Sequence, residues 1–386
     1  MNSKYRQIVT IILISLINFL FSFKYISRTG KFSITVFGIL IFTIIPVMIL
    51  LVYNNNQKIP EKIKSLLNSR YLVWYLISIL TIFSVAFFII YPQNRLNLDR
   101  YEMINLFWDN LFSKKCPYCP RSEVTNIPGP FPFYFVVAFP FYLINEIGFL
   151  SLAGVIAFIL ITRFSKTRSV LDSNFIILIL LSSPAVIYEI LGRSTIFLNS
   201  VLILYLLLFV QKIRLENMKI IIVTGLFTGL ILSTRSFASL FILLIFVYKY
   251  KMGFINRKTV ITGLFAMVAL AMTFIPVVAL CKDDFISYNP VTVQFTLVPV
   301  SYAAAVCIAA LAGVLFVNRF STFCWFTGLV CILLFVGHMY YWNKRGLIDA
   351  IVNNSIDVAY VSMAIPFLLY SLFQKEIWTK NTALPC

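Results

Sequence analysis

Asp99, Glu102 and Asp109 stand close together in NLDRYEMINLFWDNLF, a stretch otherwise rich in apolar and aromatic residues. A carboxylate within hydrogen-bond reach of a hydroxyl can take its proton, so these three are candidates for general-base work. Arg193, Arg235, Lys344 and Arg345 fall at the ends of apolar runs. Arginine's planar fork suits bidentate contact with a phosphate. His338 is the one histidine, which removes any multi-histidine catalytic metal site. Each candidate also has an ordinary reading. Asp99 could simply favour a helix start, Arg193 could snorkel or pair with Glu189, and Asp357 could open a helix. His338 reads as a packed side chain, and Lys282-Asp283-Asp284 as a solvated acidic turn.

The elements that position these residues follow from composition. Of 386 residues, 60% are hydrophobic and 12% charged, and the mean hydropathy is +0.92. Soluble domains hold roughly 45–50% apolar and about 25% charged residues, so a soluble fold is excluded, as is disorder. The apolar runs are long and continuous, which argues against a β-barrel. An all-α integral membrane protein remains, a polytopic bundle whose helices satisfy their own backbone in lipid. The net charge of +18 is explained by basic cytoplasmic loops and needs no nucleic-acid partner.

Apolar runs predict about twelve spans (range 11–13), at 7–23, 33–53, 71–91, 148–162, 174–190, 195–211, 219–235, 236–248, 259–281, 292–317, 322–341 and 356–373. The thirteenth candidate, 131–147, is decided by charge. If it lies at the outer surface, 19 of the 32 Lys and Arg fall inside, with 4 of the 14 Asp and Glu. If it spans, every later basic loop inverts. Lys4 and Arg6 precede the first run, and Phe-Ser-Phe-Lys follows it in place of a small-residue cleavage site, which predicts an uncleaved first span. The chain then divides into a three-span segment, 1–91, an outer loop, 92–147, and the remaining bundle, 148–386. Both termini are expected in the cytoplasm.

Within the loop, Asp99–Leu111 has helical spacing, with Met103, Leu106, Phe107 and Asn110/Leu111 on one side. A turn-rich stretch, Asn126–Pro130, leads to an aromatic helix, Phe131 to Ile147, ended by Gly148 and suited to the membrane–water interface.

The order of these pieces resembles the GT-C superfamily of integral membrane glycosyltransferases, of the aminoarabinose- and mannosyltransferase-like kind. The matching residues are Asp99-Arg100-Tyr101, Pro117-Tyr118, Asn126 through Tyr134, Tyr188 through Ser194, and Ser233-Thr234-Arg235, covering about 90–240. The resemblance implies a polyprenyl-phosphate-linked sugar as donor and inverting transfer to a glycan, lipid or protein acceptor at the exoplasmic face. It implies Asp99 as base, with Glu102 and Asp109 behind it. Arg193, Arg235, Lys344 and Arg345 would hold the donor phosphate and stabilise its developing charge. Arg100 stands where relatives carry a second acid, so no metal ligand is assigned and dependence on a divalent metal is left open. An exposed site of this kind implies a bacterial cytoplasmic membrane or an ER-like one, and the compact loops favour the bacterial membrane. The competing readings are a transporter or flippase of lipid-linked glycans, or a polymerase of another fold. Transporters often show inverted repeats, and none is found.

Cys116-Pro117-Tyr118-Cys119 matches the glutaredoxin active-site motif letter for letter, yet the βαβ context that motif needs is missing. A structural disulfide, free thiols and a redox pair all remain open readings. Cys281 is the other cysteine expected near the outer face.

Overall fold

The computed structural model describes residues 3–27, 32–55, 58–93, 99–120, 127–213, 215, 217–253, 257–282, 284–343, 346–352 and 356–374. Every regular element among them is helical. In chain order these are α1 (Ser3–Ile26), α2 (Phe32–Asn54), α3 (Glu61–Leu67), α4 (Leu72–Ile90), α5 (Asp99–Phe112), α6 (Pro132–Leu143) and α7 (Gly148–Arg163). Then come α8 (Val170–Leu181), α9 (Pro184–Leu191), α10 (Ile196–Lys212), α11 (Met218–Leu232), α12 (Phe237–Lys251) and α13 (Arg257–Cys281). The last part holds α14 (Asp284–Ser287), α15 (Pro290–Phe295), α16 (Val300–Val314), α17 (Phe320–Trp342), α18 (Leu347–Val352), a 3-10 turn (Val358–Ala364) and α19 (Ile365–Ser371).

Five helices among the described residues are long and apolar enough to cross a membrane, or up to seven if each of two bent pairs makes one span. By that measure the chain is a multi-pass helical membrane protein. The expected runs fall on helical segments, but several of the helices are shorter than the runs and some runs hold two elements. Helices α11 and α16 have 15 residues each, about 22 Å against a hydrocarbon core of about 30 Å. The run 174–190 bends by 64° where Pro184 opens α9. The run 292–317 is interrupted between α15 and α16. Hydropathy sums through such breaks, because a turn of apolar residues scores like a helix.

The aromatic segment after the turn forms α6, of 12 residues, set at 115° to α7. Gly148 does not end this helix, as the spacing predicted; it opens α7. The chain turns earlier, at Asn145 with φ 53°. A Cβ on Gly148 would lie 2.4 Å from the Phe88 ring, so glycine lets α7 approach α4 closely.

Outward faces are apolar, with Ile79, Ile82 and Ile89 on α4 and Met267, Met272 and Ile275 on α13 all exposed. Apolar side chains on the outside and inside alike mark helices solvated by lipid. Close packing between helices then relies on small residues. Gly225 and Gly229 of α11 face α13, where a Cβ on Gly229 would fall 2.2 Å from the Ala266 carbonyl oxygen.

Polar contacts gather at two ends of the bundle. At the loop end, Arg193 meets Glu146, Phe131 N–H donates to the Thr234 carbonyl, and Lys24 Nζ donates to the Ile356 carbonyl. At the opposite end, Arg6 donates to Ser321, the Tyr53 hydroxyl to Asp172, and Asn174 to the Leu67 and Ser69 carbonyls. Backbone α11–α13 contact at Gly229 leaves no space for a side chain. Gly229→Val is expected to lower stability by about 1–3 kcal/mol, read as a drop in thermal midpoint in detergent, while Gly263→Val, whose Cβ meets nothing within 4 Å, leaves it unchanged.

Candidate functional site

The loop segment is built around aromatic packing. Helix α5 buries Ile104, Leu106, Phe107, Trp108 and Asn110. Phe107 stacks on Phe135 of α6 with ring centroids 3.8 Å apart, and Trp108 Nε1 donates to the Phe135 carbonyl at 3.2 Å. The buried face therefore includes Ile104 and Trp108, which the sequence pattern left off it, and Met103 turns to a cavity instead. Large aromatics on neighbouring positions widened the stripe beyond the one-sided spacing.

Tyr118 is fully buried against Phe107 and Phe135, and its hydroxyl donates to the Pro130 carbonyl at 2.9 Å. Asn110 Nδ2 donates to the carbonyls of Cys116 (3.2 Å) and Cys119 (2.9 Å). Cys116 is bonded to Cys281, at the end of α13, and not to Cys119. The sequence motif is thus no redox pair. Its first cysteine staples the loop to the bundle, and its second is a free thiol pushed up by burial and by the neighbouring Asp284 carboxylate.

The turn before α6 is tied to the α11–α12 turn by two backbone bonds, Phe131 N–H to Thr234 O at 2.9 Å and Phe133 N–H to Ser233 O at 3.0 Å. Gln294 of α15 bridges the same region, donating to the Gly129 carbonyl and accepting from Ser236 N–H at 2.8 Å. These ties enclose a cavity of about 630 Å³ between α5, α6 and the bundle. Met103 and Tyr134 contribute from the loop, Arg235 from the α11–α12 turn, Asn289 and Thr292 from the start of α15, and Asp357 and Tyr360 from the last segment.

Arg235 is half-buried, with its guanidinium carbon 5.8 Å from the Tyr134 ring centroid. Its Nε finds no hydrogen-bond acceptor among the described residues. Asp357 Oδ1 accepts from Ala359 N–H at 3.0 Å, capping the 3-10 turn. The buried His338 ring joins two walls of the cavity. Its Nδ1 lies 2.8 Å from the Leu297 carbonyl, and its Nε2 accepts from Asp357 N–H at 3.3 Å. A carbonyl only accepts and an amide N–H only donates, so this geometry holds the ring neutral with the proton on Nδ1.

The other expected site residues separate. Asp99 is the first residue of α5, one turn before Met103, and its side chain lies outside the described residues. Glu102 is exposed beside Tyr101, whose hydroxyl is pushed up by burial and by that carboxylate. Asp109 accepts from the Tyr142 hydroxyl at 2.7 Å, which anchors α5 to α6 away from the cavity. Lys344, Arg345 and Asp283 lie outside the described residues. Arg193 is 1% exposed and its donors are engaged. It pairs with both oxygens of Glu146 at 3.1 Å and donates to the Tyr91 (2.6 Å) and Leu191 (3.0 Å) carbonyls. The partner considered in sequence, Glu189, accepts instead from Phe197 N–H at 2.9 Å. This arrangement ties Arg193 to the architecture and leaves Arg235 as the described cation at the cavity. Among the described residues no group of three or more His, Cys, Asp and Glu could hold a metal.

Asn289, Thr292 and Tyr360 were missed in sequence, since the 292–317 and 356–373 runs each read as one span. The available signal was Asn289-Pro290, a helix cap followed by proline in the first turn; the Asn289 side chain accepts from Thr292 N–H.

Removing one partner of a buried pair typically costs about 3–5 kcal/mol. Arg193→Gln is therefore expected to lower the thermal midpoint strongly, whereas Arg235→Gln leaves it near wild type. The single histidine makes the second expectation directly readable. Nitrogen-15 NMR of histidine-labelled protein at neutral pH should show a protonated Nδ1 and a bare Nε2; the opposite tautomer, or a doubly protonated ring, would refute the His338 bridge. Comparison with family models, curated proteins and solved structures finds no match to this chain.

Proposed function

We propose that the chain is a GT-C-type membrane glycosyltransferase, moving a sugar from a polyprenyl-phosphate donor to an acceptor on the outer face of a bacterial cytoplasmic membrane. The observation that carries this reading is the loop-end cavity, where Arg235, whose Nε has no acceptor among the described residues, and Asp357 share the lining with Met103, one turn into the helix that Asp99 opens. It lies between the loop and the bundle, where an amphiphilic donor can present its phosphate to protein while its chain stays in lipid.

The chemistry follows from that placement. Asp99 takes the acceptor hydroxyl proton as the oxygen attacks the anomeric carbon, and the sugar–phosphate bond breaks on the opposite face, inverting the centre. Arg235 stabilises the charge that builds on the leaving phosphate. Tyr134 supports the guanidinium through its ring, and His338 sets the distance between Leu297 and Asp357 across the opening.

The same reading has about twelve crossings, with the loop end outside and both termini in the cytoplasm. Two observations support that orientation. The polar contacts of the two ends join segments that the charge pattern assigns to the same side. A disulfide between Cys116 and Cys281 belongs to an oxidising compartment.

The test is transfer by the purified protein from a panel of polyprenyl-phosphate sugars to membrane lipid extract. Asp99→Asn should abolish turnover and keep donor binding. Arg235→Ala should lower the rate by about 100- to 1,000-fold, the scale of losing one charge-stabilising donor. Full activity in Asp99→Asn, with loss in Asp357→Asn, would move the base to Asp357. Folded protein inactive with every donor would favour a transporter or polymerase.

A further inference from the structure

A second, separate niche lies at the opposite end of the bundle, between the start of α4 and the end of α7. It has a volume of about 330 Å³ and is lined by Ser69, Arg70, Tyr71, Trp74, Arg163 and Phe164. We propose that this niche binds the headgroup of an anionic phospholipid.

Charge is the first argument. Two arginines line the niche and no carboxylate does. Neither guanidinium has an ion-pair or hydrogen-bond partner among the described residues, while the nearby acids are engaged elsewhere. Glu61 pairs with Lys64, and Asp172 accepts from the Tyr53 hydroxyl and from Ser169 N–H. Arginine forks suit the oxygens of a phosphodiester.

The second argument separates a lipid from a soluble anion. Tyr71, Trp74 and Phe164 are 72%, 51% and 67% exposed at the rim. Amphipathic and aromatic rings in that position belong at headgroup level. Below them on α4, Tyr75, Ile79 and Ile82 are exposed, giving an apolar track for acyl chains. A ligand with one phosphate and an apolar tail satisfies both parts, and basic pockets between spans are a recurrent form of anionic-lipid recognition.

The niche is also held in shape. Asn174, fully buried, donates to the Leu67 and Ser69 carbonyls, and Ser69 Oγ accepts from Tyr71 N–H at 3.2 Å. Helices α4 and α7 bracket the outer loop, and at their other ends Phe88 and Phe149 are in ring contact at 5.3 Å. A lipid seated here would brace the two helices from which that loop is suspended.

The test uses native mass spectrometry on the delipidated full-length protein in detergent, titrated with phosphatidylglycerol, phosphatidylcholine or inorganic phosphate. Phosphatidylglycerol should bind in preference to phosphatidylcholine. Its affinity should fall about fivefold in Arg70→Gln or Arg163→Gln and about 30-fold in the double variant. A Lys62→Gln/Lys166→Gln control removes the same charge from exposed residues outside the niche and should bind like wild type. Equal binding of the two lipids, an equal loss in the lysine control, or displacement of phosphatidylglycerol by equimolar inorganic phosphate would each overturn the proposal. Thermal midpoints of all variants are measured alongside, since the substituted side chains carry no protein contacts that folding needs.

Discussion

The guanidinium of Arg193 closes the neck of the loop between α4 and α7. One of its nitrogens reaches the Tyr91 carbonyl where the loop leaves α4, and the Glu146 carboxylate holds it where the loop returns to α7. Phe88 and Phe87 lie 4.8 and 5.5 Å from the guanidinium carbon, shielding the pair. A second tie runs beside it, with Gln93 donating to the Asn145 carbonyl and accepting from Ile147 N–H. Both ties draw the ends of the loop together, so its length adds only a slowly growing closure entropy. The two loop helices, of 14 and 12 residues, are too short to be stable alone in water. They persist because the neck, the Phe107–Phe135 stack and the Cys116–Cys281 bond seat them on the bundle. That bond closes a separation of 165 residues, for which chain entropy gives a stabilisation of up to about 5 kcal/mol.

This arrangement explains what was readable in the sequence. Long apolar runs and the two-sided distribution of Lys and Arg mark the helices and the loop, because burial in lipid acts on each segment separately. Pairings across the chain carry no such local signal. Arg193 sits four residues from Glu189 in the sequence, yet its partner is Glu146, 47 positions away. The left-handed backbone of Arg193, with φ 49°, turns it out of the α9 helix and toward the neck. Cys116 and Cys119 have the spacing of a local pair, but the turn at Cys116–Cys119 is held by Asn110 and the bond goes to α13. The charge pattern sorts segments into two groups and could not indicate which neighbour a residue meets.

The same reasoning sorts the cations at the loop end. Buried Lys24 donates to the Ile356 carbonyl, and Arg193 to two carbonyls and a carboxylate. Both fasten chain segments together, and their charge is balanced or solvated by protein oxygens. Arg235 differs. The backbone around it is fixed by the bonds from Phe131 and Phe133 to the preceding residues, so its position is set without a hydrogen bond from its own side chain to any described residue.

A buried donor left without an acceptor costs about 1–3 kcal/mol. A fold that needed Arg235 only for packing would lose that penalty by replacing it with an apolar residue, since the Tyr134 ring offers an apolar face as readily as a cation site. On the proposed reading, an anion in the cavity of about 630 Å³ that Arg235 lines would give this guanidinium its counter-charge. Asp357 lines the same cavity, its carboxylate accepting from Ala359 N–H and its backbone N–H donating to His338. The proposed sugar transfer draws on that pairing of one cation and one carboxylate along the same cavity: a positive group for the leaving phosphate and an acidic side that can receive a proton.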